Sequence, residues 1–362
     1  MRFRDKNIEA FLELVKAGLW EAEVQLSDYH DIDWRTVYQL AQEQSILGLV
    51  MAGLEHADQR PQQELLLQMI GEVQLIEQRN KEVNGFVEKL FAKLRRNGVE
   101  TVMVKGQGVA ECYERPLWRQ SGDVDLLLDE RNYERAKEVL LPIAHDAHEE
   151  DKAKKHLGLS IMGVEVELHG RMVFSLSEKT QAVNDEVLMM ATYHADEHVL
   201  IPRADEHVFL VFTHFLHHFF IEGVGLRQIC DWCRMLYCYR ETLDYGMLEE
   251  RVRRAGLMLE WRAFYNLASR YLGMPDLDSS FMFQDSRYDK KADRIMELVL
   301  ECGNFGLNKD LSYRTRYKGV MYKIVSLWRR IGDFVRFIPI FPLDAPKFFV
   351  TYVFGKMRYF KI

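Results

Sequence analysis

Apolar residues recur at helical spacing over roughly the first 97 positions of the chain. The pattern is clear in Ile8-Phe11-Leu12-Leu14-Val15 and again in Val37-Leu40-Ala41. A longer periodic segment runs from Gln62 to Arg96, and Asn97-Gly98 follows it in the manner of a helix C-terminal cap. The pattern therefore predicts a helical N-terminal region over residues 1–97.

The apolar pattern changes from helical spacing to alternation after Gly98. Short β-rich runs predict strands at 100–104, 123–128, 158–162 and 164–169, with helices at 106–113 and 131–141. In the last run one apolar face alternates with a face formed by Glu165, Glu167 and His169. These features predict a small α/β unit over residues 98–200.

Helical spacing returns from about residue 204 onward. Helices are predicted at 205–220, 227–239, 245–254, 257–272 and 290–302. We therefore divide the remainder into a helical region, 201–310, and a C-terminal segment, 311–362. The predicted fold class is α+β, with a small sheet embedded between mainly helical regions.

The average charge of the chain hides a strongly basic end. The 362 residues carry a formal net charge of −7, which disfavours a general nucleic-acid-binding protein because such proteins are usually basic. Residues 313–362 hold eleven Lys and Arg against two Asp, so this segment alone carries +9. We expect its many aromatic residues to pack against the acidic helical body, with a peripheral membrane contact as the alternative.

The chain is expected to be cytoplasmic, either free or attached peripherally to the inner face of the membrane. Its start is charged and amphipathic, unlike a signal peptide, and no run reaches the roughly 18 apolar residues of a transmembrane helix. Five cysteines are too sparse for a disulfide framework. Cys230 and Cys233 have CxxC spacing but lie in an apolar helical pattern, so we expect buried thiols rather than a metal or redox site.

Two carboxylates alternate in Gly122-Asp123-Val124-Asp125 on the second predicted strand. Positions i and i+2 of a strand project from one face, so Asp123 and Asp125 lie side by side and repel each other unless a cation intervenes. Mg²⁺, or Mn²⁺, meets that need when held by carboxylates and substrate phosphates. Alone, such a pair is also typical of the solvated face of an edge strand.

Residues before and after this pair favour the metal interpretation. Lys105-Gly106 ends one strand and begins a helix, where backbone N–H groups can cradle phosphate oxygens. Glu167 can supply a third carboxylate, and Glu165 is the fallback on the same face. If a carboxylate also acts as general base, Glu167 is the first choice.

A histidine cluster lies further along the chain. His214 and His218 are four residues apart on a predicted helix, a spacing that serves helix packing, a substrate cleft or metal chelation. The residues alone leave these three alternatives open. Arg227 and Asp231 share the same spacing and are expected to form an ion pair with each other.

Together these motifs resemble the DNA polymerase β-like nucleotidyltransferase superfamily. More narrowly, they resemble a bacterial family of uncharacterised nucleotidyltransferases with the pattern Lys-Gly, Arg-x-x-Gly-Asp-x-Asp and Asp-Leu-His. Residues 99–171 carry the specific motifs. The helical segment beyond them matches more loosely, through His214, His218, Arg227 and Asp231.

The resemblance implies a role for each matching position. Asp123, Asp125 and Glu167 would be the metal ligands and catalytic carboxylates. Phosphate contacts would come from Lys105, Gly106, Arg119 and Gly122, and the cleft would include His169, His214, His218, Arg227 and Asp231. This sequence departs from the family pattern at Glu167, where Asp is more common, and at Gly170, where an aromatic residue is common.

The predicted function is a Mg²⁺-dependent transfer of a nucleoside monophosphate from an NTP to an acceptor hydroxyl or phosphate, with release of pyrophosphate. Because Glu167 replaces the usual Asp, a non-catalytic nucleotide sensor or scaffold with the same fold is the alternative. A membrane-associated interaction protein is the third hypothesis. The sequence names neither the acceptor nor the oligomeric state, and nucleic acid is the disfavoured partner.

Overall fold

The computed structural model describes residues 5–152, 155–174, 176–193, 201–277, 279, 281–309, 312 and 316–359. Helices dominate, and the β-strands of the described residues form a single small mixed sheet. The predicted α+β class is confirmed. The sheet lies between helical segments on both sides along the chain.

The N-terminal region is helical, as predicted. It contains α1 (Lys6–Trp20), α2 (Trp34–Glu43), α3 (Leu47–Glu55) and α4 (Gln63–Arg96). The Asp5 side chain caps the start of α1 by accepting from Asn7 N–H. Gly98 ends α4 with φ +67°, and Val99 N–H then donates to the carbonyl of Leu94, which closes the last turn.

The sheet has the strand order β1-β2-β5-β4-β3. Its strands are β1 (Val102–Met103), β2 (Val124–Leu127), β3 (Asp146–Ala147), β4 (His156–Ile161) and β5 (Val164–His169). Helices α5 (Gln107–Ala110) and α6 (Glu130–Leu140) join them. Strands β2 and β5 are parallel neighbours, and the other pairs are antiparallel.

One face of the sheet is apolar and buried. Val124, Leu126 and Leu128 lie there together with Val166 and Leu168. The second half of α4 and helix α6 cover this face and form a distinct hydrophobic core with it. The alternation predicted for β2 and β5 is confirmed, because the acidic residues lie on the opposite face.

A second and larger core joins the helical regions. Its helices are α7 (Glu178–Tyr193), α8 (Ala204–Ile221), α9 (Leu226–Cys238), α10 (Tyr245–Ala255), α11 (Met258–Leu272) and α12 (Asp289–Cys302), together with α1 to α3. The first half of α4 contributes Leu65, Met69 and Val73 to this core. Helix α4 therefore packs in both cores. The domain boundaries at 97, 200 and 310 stay predictions.

The sequence patterns missed helix α7 and strand β3, and they assigned no helices to the C-terminal segment. Helix α7 occupies a stretch for which no element was predicted, and the two-residue strand β3 adds an exposed edge to the sheet. Strand β4 begins at His156, two residues before the predicted start. That shift matters for the site, because it brings a histidine onto the polar face of the sheet.

The C-terminal segment packs on the helical body, as expected. Helices α13 (Gly319–Phe337) and α14 (Asp344–Tyr359) form it. Phe337, Phe341 and Phe348 are buried and contact the rings of Phe219 and Phe220 at the end of α8. The part of the segment that includes Arg314 lies outside the described residues.

Candidate active site

Three carboxylates meet where β2 and β5 run side by side. The parallel register places Asp125 opposite Glu167, and Asp123 lies two residues before Asp125 on the same face. Ligand oxygens of all three lie within 4.8 Å of one another. The fold thus brings together the three carboxylates that the resemblance selected. The fallback residue Glu165 is exposed and lies outside this group.

Asp125 is the buried centre of the group. One of its oxygens, Oδ1, lies 2.8 Å from Lys105 Nζ and 2.8 Å from His169 Nε2. Burial favours the neutral acid, but Lys105 and His169 outweigh it and hold the pKa of Asp125 below its ordinary value. The other oxygen, Oδ2, is buried without a hydrogen-bond partner among the described residues. An orphaned carboxylate oxygen between two further carboxylates is a fitting donor set for a hard divalent cation.

Asp123 is in the opposite electrostatic position. The negative charge of Asp125, and then burial, raise its pKa above the ordinary value, although Lys105 works against both. Repulsion from Asp125 therefore makes the ionised form of Asp123 unfavourable in the folded protein. This repulsion destabilises the metal-free protein, and a bound cation would relieve it.

Replacement of Asp123 by Asn is expected to stabilise the metal-free protein while it weakens Mg²⁺ binding. A carboxyl whose pKa is raised in the folded state costs stability above its unfolded pKa, so the gain should appear at pH 7 and vanish below about pH 4. Urea unfolding at both pH values measures it. Glu165→Gln, an exposed neighbour on the same sheet face, should shift the unfolding free energy by no more than about 0.5 kcal/mol. A destabilised Asp123→Asn protein at pH 7 would contradict the electrostatic argument.

Lys105 and Gly106 bring positive charge and a turn to the carboxylates. Lys105 Nζ contacts His214 Nε2 at 3.0 Å as well as Asp125. Burial disfavours the ammonium, but the carboxylates of Asp125 and Asp123 outweigh it and raise the pKa of Lys105. Gly106 has φ +62°, and a Cβ there would lie 3.1 Å from the carbonyl oxygen of Asp123, so glycine suits this turn.

Polar side chains outside the cleft hold this turn in place. His207 of α8 contacts the Val104 carbonyl at 2.9 Å, and burial lowers the pKa of His207 to about 4, which keeps it a neutral donor. Gln107 donates to Asn84 Oδ1 on α4 at 2.6 Å. Asn80, one turn earlier on α4, donates to the carbonyls of Leu117 and Arg119 at 2.7 Å each. Helices α4 and α8 therefore position both loops of the site.

His214 and His218 line the opposite wall of the cleft. Their Nε2 atoms are 3.1 Å apart, and His218 Nδ1 lies 3.0 Å from Glu222. Burial first, and the nearby Lys105 second, hold the pKa of His214 well below its ordinary value. His214 is therefore a neutral imidazole that can accept a hydrogen bond from Lys105. Of the three alternatives for this pair, a place in the cleft agrees with the geometry.

Arg119 and Asp231 form a buried bidentate ion pair. Arg119 Nε and Nη2 donate to the two Asp231 oxygens at 2.7 and 2.8 Å, and Tyr113 donates a third hydrogen bond at 2.7 Å. The predicted pairing of Asp231 with Arg227 is wrong, because Arg227 instead donates to the Gln120 carbonyl at 2.9 Å. Both Asp231 oxygens are already occupied by Arg119, whose guanidinium donates to them as a two-pronged group.

These residues surround one cleft of about 200 Å³. Its lining includes ten of the predicted positions: Lys105, Gly106, Arg119, Gly122, Asp123, Glu167, His214, His218, Arg227 and Asp231. The other two predicted positions, Asp125 and His169, are buried and do not line the cleft. Phe305 also lines the cleft and was missed by the sequence patterns, which give an isolated aromatic residue no signal.

His156 is another residue that sequence reasoning missed. Its Nε2 lies 3.2 Å from Glu167 Oε2, and His169 Nε2 lies 3.3 Å from the same oxygen. Burial would raise the pKa of Glu167, but these two imidazoles outweigh it and hold the pKa far below its ordinary value. Glu167 is thus a poor proton acceptor, which argues against a general-base role.

Gly170, which stands where the family pattern commonly has an aromatic residue, has a steric cause. A Cβ at Gly170 would lie 2.8 Å from Lys155 Cβ and 3.0 Å from a ring carbon of Tyr133. Tyr133 is fully buried beneath the sheet. An aromatic side chain at position 170 would therefore require this part of the sheet to move.

Cys230 and Cys233 take no part in the site. Both thiols are buried, as predicted, and burial raises the pKa of each above its ordinary value. Inert core thiols fit this environment.

Comparison with known proteins agrees with the site. The family described as uncharacterised nucleotidyltransferase matches residues 30–273. This range includes every residue that lines the cleft except Phe305. No curated protein and no solved structure matches the chain. Because the match covers well over half of the sequence, the chain belongs to the uncharacterised nucleotidyltransferase family.

Proposed function

We propose that the protein transfers a nucleoside monophosphate from an NTP to an acceptor hydroxyl or phosphate and releases pyrophosphate. Family membership supports nucleotidyl transfer in general. The observation that carries the finer proposal is the group of Asp123, Asp125 and Glu167 at the floor of a cleft with basic walls.

The carboxylate group is suited to Mg²⁺ or Mn²⁺. Asp123, Asp125 and Glu167 would hold the ion, which would stabilise charge on the attacking and leaving oxygens of the phosphoryl transfer. Neighbouring cations and imidazoles offset the charges of Asp125 and Glu167, whereas the charge of Asp123 is opposed by Asp125. That arrangement favours a cation over a proton at neutral pH.

Basic groups on the cleft wall face the substrate phosphates in this proposal. Lys105 carries an ammonium at the cleft wall, and its raised pKa keeps it charged. Arg119 keeps Nη1 as a buried donor without a partner among the described residues, although Asp231 holds the rest of its guanidinium. Gly106 offers backbone N–H at a turn that tolerates no side chain without strain. These donors would neutralise the charge that gathers on the leaving pyrophosphate.

The alternative is a nucleotide sensor that binds without turnover. Glu167 favours it, because this carboxylate is already engaged by two imidazoles. Calorimetry with ATP, GTP, CTP and UTP, with and without Mg²⁺, tests binding, and pyrophosphate release in the presence of candidate acceptors tests transfer. Mg²⁺-dependent binding without pyrophosphate would favour the sensor, and no binding of any nucleotide would exclude both.

The remaining assignments belong to the same proposal. We place the family in the DNA polymerase β-like superfamily and propose a bacterial, cytoplasmic protein. The acceptor is any hydroxyl or phosphate compound that enters the cleft, and the acidic first 312 residues, at −16 against +9 for the rest, disfavour RNA.

We further propose that α13 rests on an anionic lipid surface. Among the described residues, no helix combines the length and apolarity needed to cross a membrane. Met321, Ile324, Trp328 and Val335 are exposed, however, and their spacing puts them along one side of α13. The same helix carries Lys323, Arg329, Arg330 and Arg336, and cations combined with exposed apolar side chains are the composition of an interfacial helix.

Replacement of Trp328 by Glu is expected to weaken vesicle binding about tenfold or more, since burial of a large apolar side chain contributes about 1.5–3 kcal/mol. Co-sedimentation with phosphatidylserine-containing vesicles measures it, with pure phosphatidylcholine as the neutral surface. Leu75→Glu is the matched control, because Leu75 on α4 is 71% exposed and Trp328 is 69% exposed. Equal binding by both variants would contradict the proposal.

A further inference from the structure

Two imidazoles converge on one oxygen of Glu167. The antiparallel register of β4 and β5 places His156 directly opposite His169, with ring centroids 4.8 Å apart. Both Nε2 atoms approach Glu167 Oε2, at 3.2 and 3.3 Å. A ligand atom from each of the three residues lies within 4.8 Å of the others. This group is distinct from the three carboxylates, although Glu167 belongs to both.

The spacing of these atoms agrees with the coordination of a small divalent ion. A tetrahedral ion about 2.1 Å from its ligands holds those ligands about 3.4 Å apart. The two measured nitrogen-to-oxygen distances are close to that value. Two histidines and one glutamate, with the fourth position left open, also form a recurrent ligand set of catalytic zinc sites.

We propose that His156, Glu167 and His169 bind a transition-metal ion of the Zn²⁺, Co²⁺ or Ni²⁺ class. Imidazole nitrogen suits these ions, whereas Mg²⁺ takes oxygen ligands. The site shares Glu167 with the hard-cation site at Asp123 and Asp125 but takes its other two ligands from imidazoles, and it does not depend on nucleotidyl transfer. It also gives a physical reason for Glu at position 167, because the longer side chain reaches the imidazoles of two strands.

Access to the site is sufficient for an ion from solvent. The side chains of His156 and Glu167 are about one-third exposed, whereas that of His169 is mostly buried. His169 Nε2 also contacts Asp125 Oδ1 at 2.8 Å, so an ion bound at this nitrogen would take the place of that hydrogen bond. The side chains of His156 and Glu167 are the ones that an ion from solvent would reach first.

Titration of the full, tag-free and chelator-treated chain with Co²⁺ tests the proposal by calorimetry and visible absorption. We expect about one ion per chain and the spectrum of a four- or five-coordinate ion with nitrogen and oxygen ligands. His156→Ala should weaken Co²⁺ binding at least about 100-fold. Loss of a residue that only hydrogen-bonds to a metal ligand typically weakens binding about 10- to 100-fold, and loss of a ligand should cost no less. His30→Ala, an exposed histidine of the N-terminal region, is the control and should bind as the wild type does.

Two variants separate this site from the carboxylate site. His156→Ala removes a ligand that belongs to this site alone, so it should weaken Co²⁺ binding while Mg²⁺-dependent nucleotide binding survives. Asp123→Asn should have the reverse effect. Urea unfolding establishes that each variant is folded. If neither the wild-type protein nor any variant binds nucleotide, the proposed function is wrong. The Co²⁺ titration still tests the His156, Glu167 and His169 site independently.

Three outcomes would overturn the proposal. Wild-type affinity for Co²⁺ in the His156→Ala variant is the first. Loss of binding on His218→Ala instead is the second, because His214 and His218 form the other close imidazole pair. A sulfur-to-cobalt charge-transfer band in the near ultraviolet is the third, since it would assign the ion to the exposed Cys238.

Discussion

Replacement of Asp125 by Asn should reduce Mg²⁺-dependent NTP turnover roughly a thousandfold, because stabilisation of charge by a bound metal contributes several kcal/mol. Asp125 lies at the centre of the carboxylate group, and its Oδ2 has no hydrogen-bond partner among the described residues. Asn keeps the size and an acceptor for Lys105 but removes the negative charge. Pyrophosphate release and calorimetry with Mg²⁺ and each NTP measure the loss.

The comparison variant is Glu165→Gln. Glu165 lies on β5 two residues from Glu167, on the same side of the strand, but it is exposed and outside the carboxylate group. Its turnover should stay close to that of the wild type. If the Asp125→Asn protein is folded and retains both turnover and Mg²⁺-dependent nucleotide binding, the proposed active site is wrong.

Replacement of Asp231 by Ala should reduce the free energy of unfolding by about 3–5 kcal/mol, as is typical when one partner of a buried ion pair is removed. The variant leaves the Arg119 guanidinium buried and unpaired, since both Asp231 oxygens accept from it. It also leaves Tyr113 without its acceptor. Urea unfolding at pH 7 measures the change.

The acid dependence of this effect follows from the pKa. Burial would raise the pKa of Asp231, but Arg119 outweighs it and lowers the value. The pair therefore contributes its full stability above the unfolded pKa of about 3.9, and the contribution is lost as pH falls through the lower folded pKa. The difference between wild type and variant should shrink accordingly in acid.

Two controls keep the interpretation specific. Glu186→Ala removes an exposed ion pair with Arg254 and should cost no more than about 1 kcal/mol. The double variant Arg119→Met with Asp231→Leu removes both charges, so it should recover much of the stability lost by Asp231→Ala. A single variant as stable as the wild type would show that the pair is not a buried electrostatic unit.

Much of the local structure was predictable because it depends on neighbours in sequence. The end of α4 at Gly98 follows from a cap, and the two faces of β5 follow from alternation. The three carboxylates could be named from motifs. Their contact could not be derived from spacing alone, since it depends on β2 and β5 becoming parallel neighbours.

The remaining contacts depend on tertiary packing. Arg119 and Asp231 are 112 positions apart, and the helical spacing of Arg227 and Asp231 pointed to the wrong pair. His156 had a weak local signal, because the alternation of Leu157, Leu159 and Ile161 extends back to it. The predicted start of the strand at residue 158 excluded it.

Lys105 gives the site an internal counterion. Its ammonium contacts Oδ1 of Asp125 at 2.8 Å and lies beside His214 at the cleft wall, whereas Oδ2 has no hydrogen-bond partner among the described residues. If the proposed function holds, a metal ion at Oδ2 would meet a carboxylate whose charge Lys105 already offsets in part. A nucleotide whose phosphates attract Lys105 away from Asp125 would make metal binding more favourable, and linkage would require the metal to raise nucleotide affinity by the same factor. The two ligands would thus be coupled positively through one side chain.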